Sequence, residues 1–365
     1  MRTFFVLPIL LLAAAPAFAE DPLVVLAADP MGRIRFFDAA LSPLGSIGVI
    51  QQVESVAASP DGRRLYIARR AEKTTASSCC GLYSLDLDTR GMCLLAASAL
   101  FGAPSPDGRF LFTQGASGVD VFDATTLSRL PTMKASGTYN LQPSPDGRWL
   151  LGITNAPQLS YLDTFDMGAN AMVRRLPISP GPVTGAWAGD RFYLFSYGAY
   201  RSPGTGWLWN VKPEDNQLPP PTGIELPDLH GACHEPVLLM LAGAPDRLYL
   251  AEAFGFKVDR RLACPDAARD GVYVIHPSTG RVSHIASAVR VNRMVVSPDG
   301  RDLYVIDSGG PSPPGKLRLL HIDSRTGGIL HETALGSGPW NLTLARIPPA
   351  LIPREYVRAS SSCSR

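Results

Sequence analysis

The pentapeptide SPDGR occurs four times in this sequence, at residues 59–63, 105–109, 144–148 and 297–301. Each copy lies between two short apolar runs, such as VESVAA before the first copy and RLYIA after it. Proline fixes φ for the second position of a type I turn, aspartate tolerates the third, and glycine adopts the left-handed conformation that follows. The motif therefore predicts a β-hairpin that recurs along the chain, which is the signature of a repeat architecture.

The number of repeats follows from two independent patterns. Degenerate hairpins lie at residues 187–195 and 243–251, so successive turns are roughly 40 to 55 residues apart, as in four-stranded propeller blades with loop insertions. Third strands that end in a polar residue are predicted at Asp38, Asp86, Asp123, Asp163, Asn210, His276 and Asp323. The chain begins with a second and a third strand, and residues 339–347 supply a first strand. Pairing these segments predicts an all-β, seven-bladed β-propeller of four-stranded antiparallel blades, closed without an exposed sheet edge.

Residues 1–19 have the composition of a secretory signal peptide. Arg2 precedes an apolar run from Phe4 to Ala15, and a small-x-small cleavage motif ends at Ala19. We expect cleavage after Ala19 and a single propeller domain over residues 20–365, located in the periplasm or secreted; the alternative is a retained N-terminal anchor. No second apolar run approaches the roughly 20 residues that a membrane helix needs, so no membrane span is expected after cleavage.

The charge balance argues against a nucleic-acid partner. The chain has 34 Lys and Arg residues against 32 Asp and Glu residues, with no long basic run. Phosphate binding needs a concentrated basic face, which this distribution does not predict. The expected partner is a periplasmic protein or a small molecule.

The SPDG hairpins, followed by strands such as LYIA, LGITN and LYVID, resemble the YVTN-type seven-bladed repeat family of exported bacterial proteins. The resemblance extends over nearly the whole chain after residue 19 and implies the propeller fold. It leaves the activity open, because similar repeats occur in binding proteins, in lactonase-like hydrolases and in the large propeller subunit of amine dehydrogenases.

Loop lengths predict which face of the propeller binds a ligand. Connections from second to third strands and from fourth to first strands share one face, called here the long-loop face. Its long loops are predicted at residues 69–80, 197–206, 227–236, 254–270 and 308–315. Long loops on a rigid scaffold are frequent binding sites. First strands begin on this face, so the candidate ligand-binding residues at the channel mouth are Glu54, Tyr139, Asn140, His234, Glu235, Arg290, Asn292, Trp340 and Asn341.

Three of these residues, Glu54, Asn140 and Asn292, carry hard oxygen donors of the kind that calcium accepts. They are similar to the Glu/Asn ring of gluconolactonase-type propellers, although those have six blades. The alternative is that polar side chains simply line a water-filled channel. His230 and His234 lie on a proline-bounded loop and do not form the helical HExxH zinc motif. The sequence identifies no catalytic residue and requires no cofactor, and calcium is the one cofactor that it suggests.

Six cysteines in an exported chain predict disulfide bonds. The expected pairs are Cys233–Cys264, Cys93–Cys363 and Cys79–Cys80. Cys233 and Cys264 both belong to the long-loop face, whereas Cys93 and Cys363 share the opposite face. Cys79 and Cys80 remain as an adjacent pair, for which a redox role is an alternative. A Cys80–Cys93 bond is not expected, because the predicted hairpin places Cys93 opposite Asp86. Six residues of strand then separate it from Cys80, about 20 Å at ~3.3 Å per residue, whereas a disulfide needs Cα atoms within ~7 Å.

The functional expectation is an exported propeller that binds a protein or a small ligand through its long-loop face without catalysis. The alternatives are a calcium-dependent lactonase-like hydrolase and the propeller subunit of a periplasmic amine dehydrogenase. The expectation rests on the signal peptide, the closed propeller and the lack of a complete catalytic motif in the sequence.

Overall fold

The structure is a computed structural model with an all-β fold. It describes residues 21–49, 53–70, 80–97, 99, 101–115, 117–135, 137, 139–154, 159–178, 183–197, 205–226, 238–253, 271–309, 317–336 and 340–360. Seven antiparallel sheets of four strands each confirm the predicted seven-bladed propeller, and one sheet carries an additional fifth strand. The predicted signal peptide lies outside the described residues. Within the described ranges, no helix has the length and apolar character needed to cross a bilayer.

Each blade contributes four strands, numbered here in chain order. Blade one contains β4 (Val53–Ala58), β5 (Arg64–Arg70), β6 (Cys80–Asp86) and β7 (Met92–Ala96). Blade two contains β8 (Ala103–Pro104), β9 (Phe110–Gly115), β10 (Gly118–Asp123) and β11 (Arg129–Lys134). Blade three contains β12 (Tyr139–Pro143), β13 (Trp149–Thr154), β14 (Tyr161–Asp166) and β15 (Ala171–Pro177). Blade four contains β16 (Val183–Ala188), β17 (Arg191–Tyr197), β18 (Thr205–Val211) and β19 (Thr222–Glu225).

The remaining blades complete the ring. Blade five contains β20 (Leu238–Ala244), β21 (Arg247–Ala253), β22 (Val272–His276) and β23 (Arg281–Ile285). Blade six contains β24 (Val291–Val296), β25 (Asp302–Asp307), β26 (Leu317–Asp323) and β27 (Ile329–Gly336). Blade seven contains β28 (Asn341–Arg346), β1 (Leu23–Ala28), β2 (Arg33–Phe37), β3 (Pro43–Gly48) and β29 (Tyr356–Arg358).

Blade seven closes the ring as the sequence predicts. Strand β28 pairs antiparallel with β1, from Asn341 opposite Ala28 to Arg346 opposite Leu23. First strands of successive blades contact one another, including β24 with β28 and β28 with β4. These first strands are therefore the innermost ones and surround the central channel.

Both faces of every blade are apolar because both pack against a neighbouring blade. In β5, Leu65 and Ile67 belong to the core between blades seven and one, whereas Tyr66 and Ala68 belong to the core between blades one and two. This alternation follows from the two-residue period of a strand. Seven hydrophobic clusters fill the seven interfaces between blades, so each blade is stabilised by two neighbours.

The SPDGR turn is held by its serine as well as by its proline and glycine. In the first copy, the Ser59 hydroxyl donates to Asp61 at 2.6 Å and accepts from the Arg64 N–H at 2.9 Å. Gly62 has a φ of 65°, in the left-handed region that favours glycine. The other three copies repeat the Ser–Asp hydrogen bond at 2.5–2.7 Å. Repetition of the sequence therefore reflects repetition of one turn geometry.

Aspartates at the ends of third strands cap the following turns. Asp123 accepts hydrogen bonds from the Thr126 N–H at 2.7 Å and the Thr126 hydroxyl at 3.0 Å. Asp323 accepts the equivalent bonds from Thr326 at 2.8 and 2.9 Å. The prediction for blade three is displaced, since β14 ends at Asp166, whereas Asp163 lies in the middle of the strand and is fully buried. The sequence pattern assigned Asp163 to a turn, whereas the side chain forms an ion pair with Arg175 on the next strand. A turn pattern does not reveal such a partner.

Because of these capping carboxylates, we expect the folded state to lose stability in acid. Hydrogen bonds from Thr126 and Thr326 lower the pKa of Asp123 and Asp323 in the folded state. A carboxyl group whose pKa is lower in the folded state stabilises the fold at pH values above its unfolded-state pKa of about 3.9. This contribution is lost as the pH falls through the folded-state pKa. We expect a flat melting temperature from pH 5 to 7 and a fall below about pH 4. A D123N/D323N variant should melt at a lower temperature than the unmodified chain at pH 7, and the difference should be smaller at pH 3. An equal difference at both pH values would contradict the capping role.

The additional strand β29 fastens the outer edge of blade seven. It pairs in parallel with β3, from Tyr356 opposite Ser46 to Arg358 opposite Gly48. The tail approaches β3 closely, since a Cβ at Gly45 would lie 1.8 Å from the Pro353 carbonyl oxygen. This strand was not predicted from the sequence, because its three residues carry no hairpin motif.

The tail continues from blade seven to blade one. Ser360 donates its N–H to the Arg90 carbonyl and accepts from the Met92 N–H, both at 2.9 Å. The nearby Cys93 is disulfide-bonded. The predicted partner Cys363 lies outside the described residues, as do Cys79, Cys233 and Cys264, so all three pairings remain predictions.

The hairpin register around Cys93 differs from the predicted one. Cys93 pairs with Ser84 rather than Asp86, because the turn spans more residues than expected. Four residues of strand therefore separate it from Cys80, about 13 Å at ~3.3 Å per residue. This separation still exceeds the ~7 Å that a disulfide allows between Cα atoms.

Candidate functional site

Three predicted mouth residues occupy β-bulges at the start of inner strands. Val53 pairs with Arg69 and Ser55 with Ala68, so Glu54 is the extra residue of β4. The same register shift makes Asn140 the extra residue of β12 and Asn292 that of β24. Bulges redirect a side chain and are common at barrel rims and next to active sites. The sequence pattern found these positions, whereas the bulges themselves could not be derived from it.

The three bulged residues differ in their surroundings. Asn140 is exposed and has a φ of 53°, which asparagine tolerates better than most residues. Glu54 is half-buried. Asn292 is 1% exposed, and its side-chain oxygen has no hydrogen-bond partner among the described residues. A buried acceptor of this kind is costly unless a donor reaches it.

Glu54 and Arg293 are electrostatically coupled across the mouth. Burial lowers the pKa of the Arg293 guanidinium, and the Glu54 carboxylate opposes this effect. Arg293 also donates to the Asn292 carbonyl oxygen at 2.8 Å. The guanidinium remains charged at neutral pH. The two strands β4 and β24 therefore bring one carboxylate and one cation to the same end of the channel.

Strand β28 lies between β24 and β4 and contributes two further predicted residues. The Asn341 amide donates to the Val53 carbonyl oxygen at 3.1 Å, which ties β28 to the bulge of β4. Trp340 is 1% exposed, and the Arg35 guanidinium lies 4.9 Å from its ring centroid. No acceptor for the Trp340 indole N–H is found in the part of the chain that the structure describes.

Arg290 lies just before β24, beside a buried ion pair. Its N–H donates to Asp307 at 3.0 Å, and Asp307 is 1% exposed. Arg318 donates two hydrogen bonds to the Asp307 carboxylate, at 2.5 and 3.1 Å. The hydrogen bond that Arg318 donates to Asp307 raises the pKa of the Arg318 guanidinium. Arg290 is thus placed by its backbone on a rigid end of blade six.

One buried cation at this end was missed by the sequence analysis. Arg69, near the end of β5, is 6% exposed, and its guanidinium lies 4.4 Å from the Tyr83 ring centroid. Burial lowers its pKa, and Tyr83 opposes the shift. The signal in the sequence is a second strand, RLYIARR, whose apolar middle is followed by two arginines.

Several predicted site residues cannot be placed. His234 and Glu235 lie outside the described residues, as does the side chain of Tyr139. The same applies to most of the long loops, including residues 71–79 and 254–270. Among the candidate residues that the structure describes, those of β24, β28 and β4 lie on adjacent inner strands, and Asn140 of β12 lies at the same end of its strand.

The donor set at the mouth fits calcium poorly. Glu54 is the one carboxylate among the three predicted ligands, and it already interacts with the Arg293 cation. No group of three acidic, histidine or cysteine side chains suited to a metal occurs among the described residues. A second cation beside Arg293 would be repelled.

We therefore expect calcium to leave the melting temperature unchanged. A site bound at a hundredfold excess over Kd would stabilise the fold by about 2.7 kcal/mol, which a thermal melt detects easily. Melts with millimolar calcium and with chelator test this expectation. A clear rise with calcium that a Glu54→Gln variant abolishes would contradict it.

Comparison with known proteins finds similarity in architecture. No protein-family model matches the sequence, and no curated protein matches it significantly. Among solved structures, the periplasmic gluconolactonase of Pseudomonas aeruginosa aligns with a TM-score of 0.59 and 15% identity, over 89% of this chain and 100% of that one. The similarity is one of fold.

Other similar structures have unrelated roles. Hydrazine synthase of Kuenenia stuttgartiensis aligns with a TM-score of 0.55 and 17% identity, over 74% of this chain and 76% of that one. The propeller domain of the Trilobed protease from Pyrococcus furiosus aligns with a TM-score of 0.51 and 14% identity, over 78% of this chain and 83% of that one. That domain has an open velcro topology, whereas this propeller is closed by β28 and β1. Such neighbours establish the fold and leave the function to the site.

Proposed function

We propose that this protein is an exported propeller of the YVTN type that binds a partner protein or a small ligand at the long-loop mouth of its channel, without catalysis. The observation that carries the proposal is the convergence of Glu54, Asn292 and Arg293 on the inner strands β4 and β24, on either side of β28, with Glu54 and Asn292 at bulges and Arg293 beside one. Polar groups held by rigid strands are pre-organised, which reduces the entropic cost of binding.

The chemistry of the mouth favours recognition over reaction. A carboxylate, guanidinium groups and amides provide both donors and acceptors for hydrogen bonds. The described mouth residues do not include a nucleophile with an adjacent general base, which covalent catalysis requires. Binding through a mixed polar surface needs neither.

A lactonase-like hydrolase is the second candidate, and the repeated bulges at Glu54, Asn140 and Asn292 are the observation that favours it. The fold is similar to that of a periplasmic gluconolactonase, but a sequence identity of 15% does not establish a shared activity. Calcium-dependent turnover of an aldonolactone, lost in a Glu54→Gln variant, would favour this candidate over simple binding.

Affinity capture tests the proposed function. The chain without residues 1–19 is immobilised and exposed to periplasmic extract of the source organism, and the bound proteins and small molecules are identified by mass spectrometry. A Glu54→Ala variant should lose the captured species. Asp61→Ala is the matched control, because Asp61 lies in the turn at the opposite end of the same hairpin. Equal capture by both variants, or no capture by the unmodified chain, would contradict the proposal. Capture of a small quinone-bearing protein would favour the amine dehydrogenase alternative.

A further inference from the structure

A cleft of about 400 Å³ opens on the face opposite the candidate site, between blades three and four. Three connections form it: the SPDGR turn before β13, the turn between β16 and β17, and the loop that follows β18. Ligand pockets commonly begin at about 300 Å³. The cleft is therefore large enough for a small molecule, and it shares no residue with the channel mouth.

The loop after β18 is fixed in place by polar contacts. The Lys212 N–H donates to the Asp215 carboxylate at 2.9 Å, and the Asp215 N–H donates back to the Lys212 carbonyl at 3.0 Å. Arg174 of β15 donates to the Pro213 carbonyl and to the Asn216 side chain. The Arg174 bonds join blade three to blade four, and the Lys212–Asp215 bonds close the loop itself, so the wall of the cleft is formed before any ligand arrives.

Two tryptophans supply the apolar part of the lining. Trp187 is half-buried and packs against Phe192, with ring centroids 5.1 Å apart. Its indole N–H donates to the Gln142 carbonyl at 3.4 Å. Trp149 is largely buried, and the Arg148 guanidinium covers it at 4.7 Å. Trp187 is held rigidly and remains partly exposed, which suits its ring for contact with a flat apolar surface, whereas the Trp149 ring is covered by Arg148.

The rim carries donors and acceptors in near balance. Asp146, Asp190 and Glu214 present carboxylates, whereas Arg191 and Lys212 present cations. A side-chain hydrogen bond from Ser144 lowers the pKa of Asp146, which keeps this carboxyl ionised at neutral pH. Asp190, Lys212 and Glu214 are exposed at the opening.

We propose that this cleft binds a neutral saccharide. Each sugar hydroxyl both donates and accepts hydrogen bonds, so a rim with both kinds of partner satisfies it, and the apolar C–H face of a pyranose ring packs against an indole. A strongly anionic or cationic ligand would leave one set of rim charges facing a like charge, which is unfavourable. The site is independent of the proposed function at the mouth.

Calorimetric titration of the chain without residues 1–19 tests this inference. The probes are neutral trisaccharides of glucose, mannose, galactose and N-acetylglucosamine, with a trigalacturonate and a triglucosamine as charged counterparts. A K212A/E214A variant removes one donor and one acceptor from exposed positions, so the fold should be retained. The control variant D88A/R325A changes exposed residues in the third-to-fourth turns of blades one and six, on the same face.

We expect at least one neutral trisaccharide to bind at millimolar concentration or below. Its affinity should fall tenfold or more in K212A/E214A and stay within twofold in D88A/R325A. Circular dichroism should report the same fold for all three proteins. Absence of binding by every neutral probe, preference for a charged trisaccharide, or equal affinity in the two variants would overturn the inference.

Discussion

Deleting residues 339–365 is expected to abolish cooperative folding and to leave the protein insoluble. The deletion removes β28, the inner strand of blade seven, and thereby exposes the edge of β1 from Leu23 to Ala28. It also removes Trp340, Ile347 and Leu351 from two cores between blades. Burial of each such side chain contributes about 1.5–3 kcal/mol, against a total stability of about 5–15 kcal/mol. Open strand edges also recruit other chains.

A shorter deletion separates ring closure from attachment of the tail. Removing residues 349–365 keeps β28 but removes β29 and the bridge from Ser360 to Gly91. We expect this variant to remain a soluble monomer with a single unfolding transition at a lower temperature. Size-exclusion chromatography and thermal melting compare the two deletions. A monomeric 339–365 deletion with unchanged melting would show that β28 does not close the ring.

Replacing Arg175 by methionine is expected to reduce the free energy of unfolding by about 3–5 kcal/mol, because it leaves a buried carboxylate without its cation. Asp163 is fully buried, and Arg175 donates two hydrogen bonds to it, at 2.6 and 2.7 Å. The Thr154 hydroxyl also donates to Asp163, at 3.3 Å. A neutral hydroxyl does not replace the positive charge of the guanidinium.

Arg129→Met is the matched control in blade two. Arg129 is paired with Asp120 at 2.6 Å, but its side chain is 58% exposed. Asp120 also keeps the Thr132 hydroxyl at 3.0 Å after the change. The Asp120 side chain is itself only 9% exposed, so we expect a loss above the about 0–1 kcal/mol of an exposed ion pair and below that of Arg175→Met. Urea unfolding of both variants measures the difference, and similar losses would show that burial does not distinguish the two pairs.

The fold was predictable because its signals are local. The SPDGR turns, the alternating apolar strands and the incomplete set of strands at the start of the chain together determine the number of blades and the way in which the ring closes. The first strands at 53–58 and 291–296 agree with β4 and β24 to the residue. Features that depend on contacts distant in sequence were not predictable, such as the parallel pairing of β29 with β3.

The candidate site was predictable only in part. Glu54, Asn140 and Asn292 were located as residues where first strands meet the long-loop face, because the SPDGR turn marks the other end of each of these strands. The bulges that redirect them depend on a mismatch of one residue between paired strands. Arg69 was missed and Asp163 was assigned to a turn, because burial of a charged side chain depends on partners in other strands. The cleft between blades three and four requires three separate loops to meet, which a linear pattern does not contain.

The central claim is that binding occurs at the long-loop mouth, and hydroxyl-radical footprinting of the captured complex tests it most directly. Strands β4 and β24 run from one face of the propeller to the other, so each provides its own internal control. We predict protection at the mouth ends, around the partly exposed Glu54 and Arg293, with unchanged labelling at the turns that follow, residues 59–63 and 297–301. Protection of those turns with unchanged labelling at the mouth ends would contradict the account.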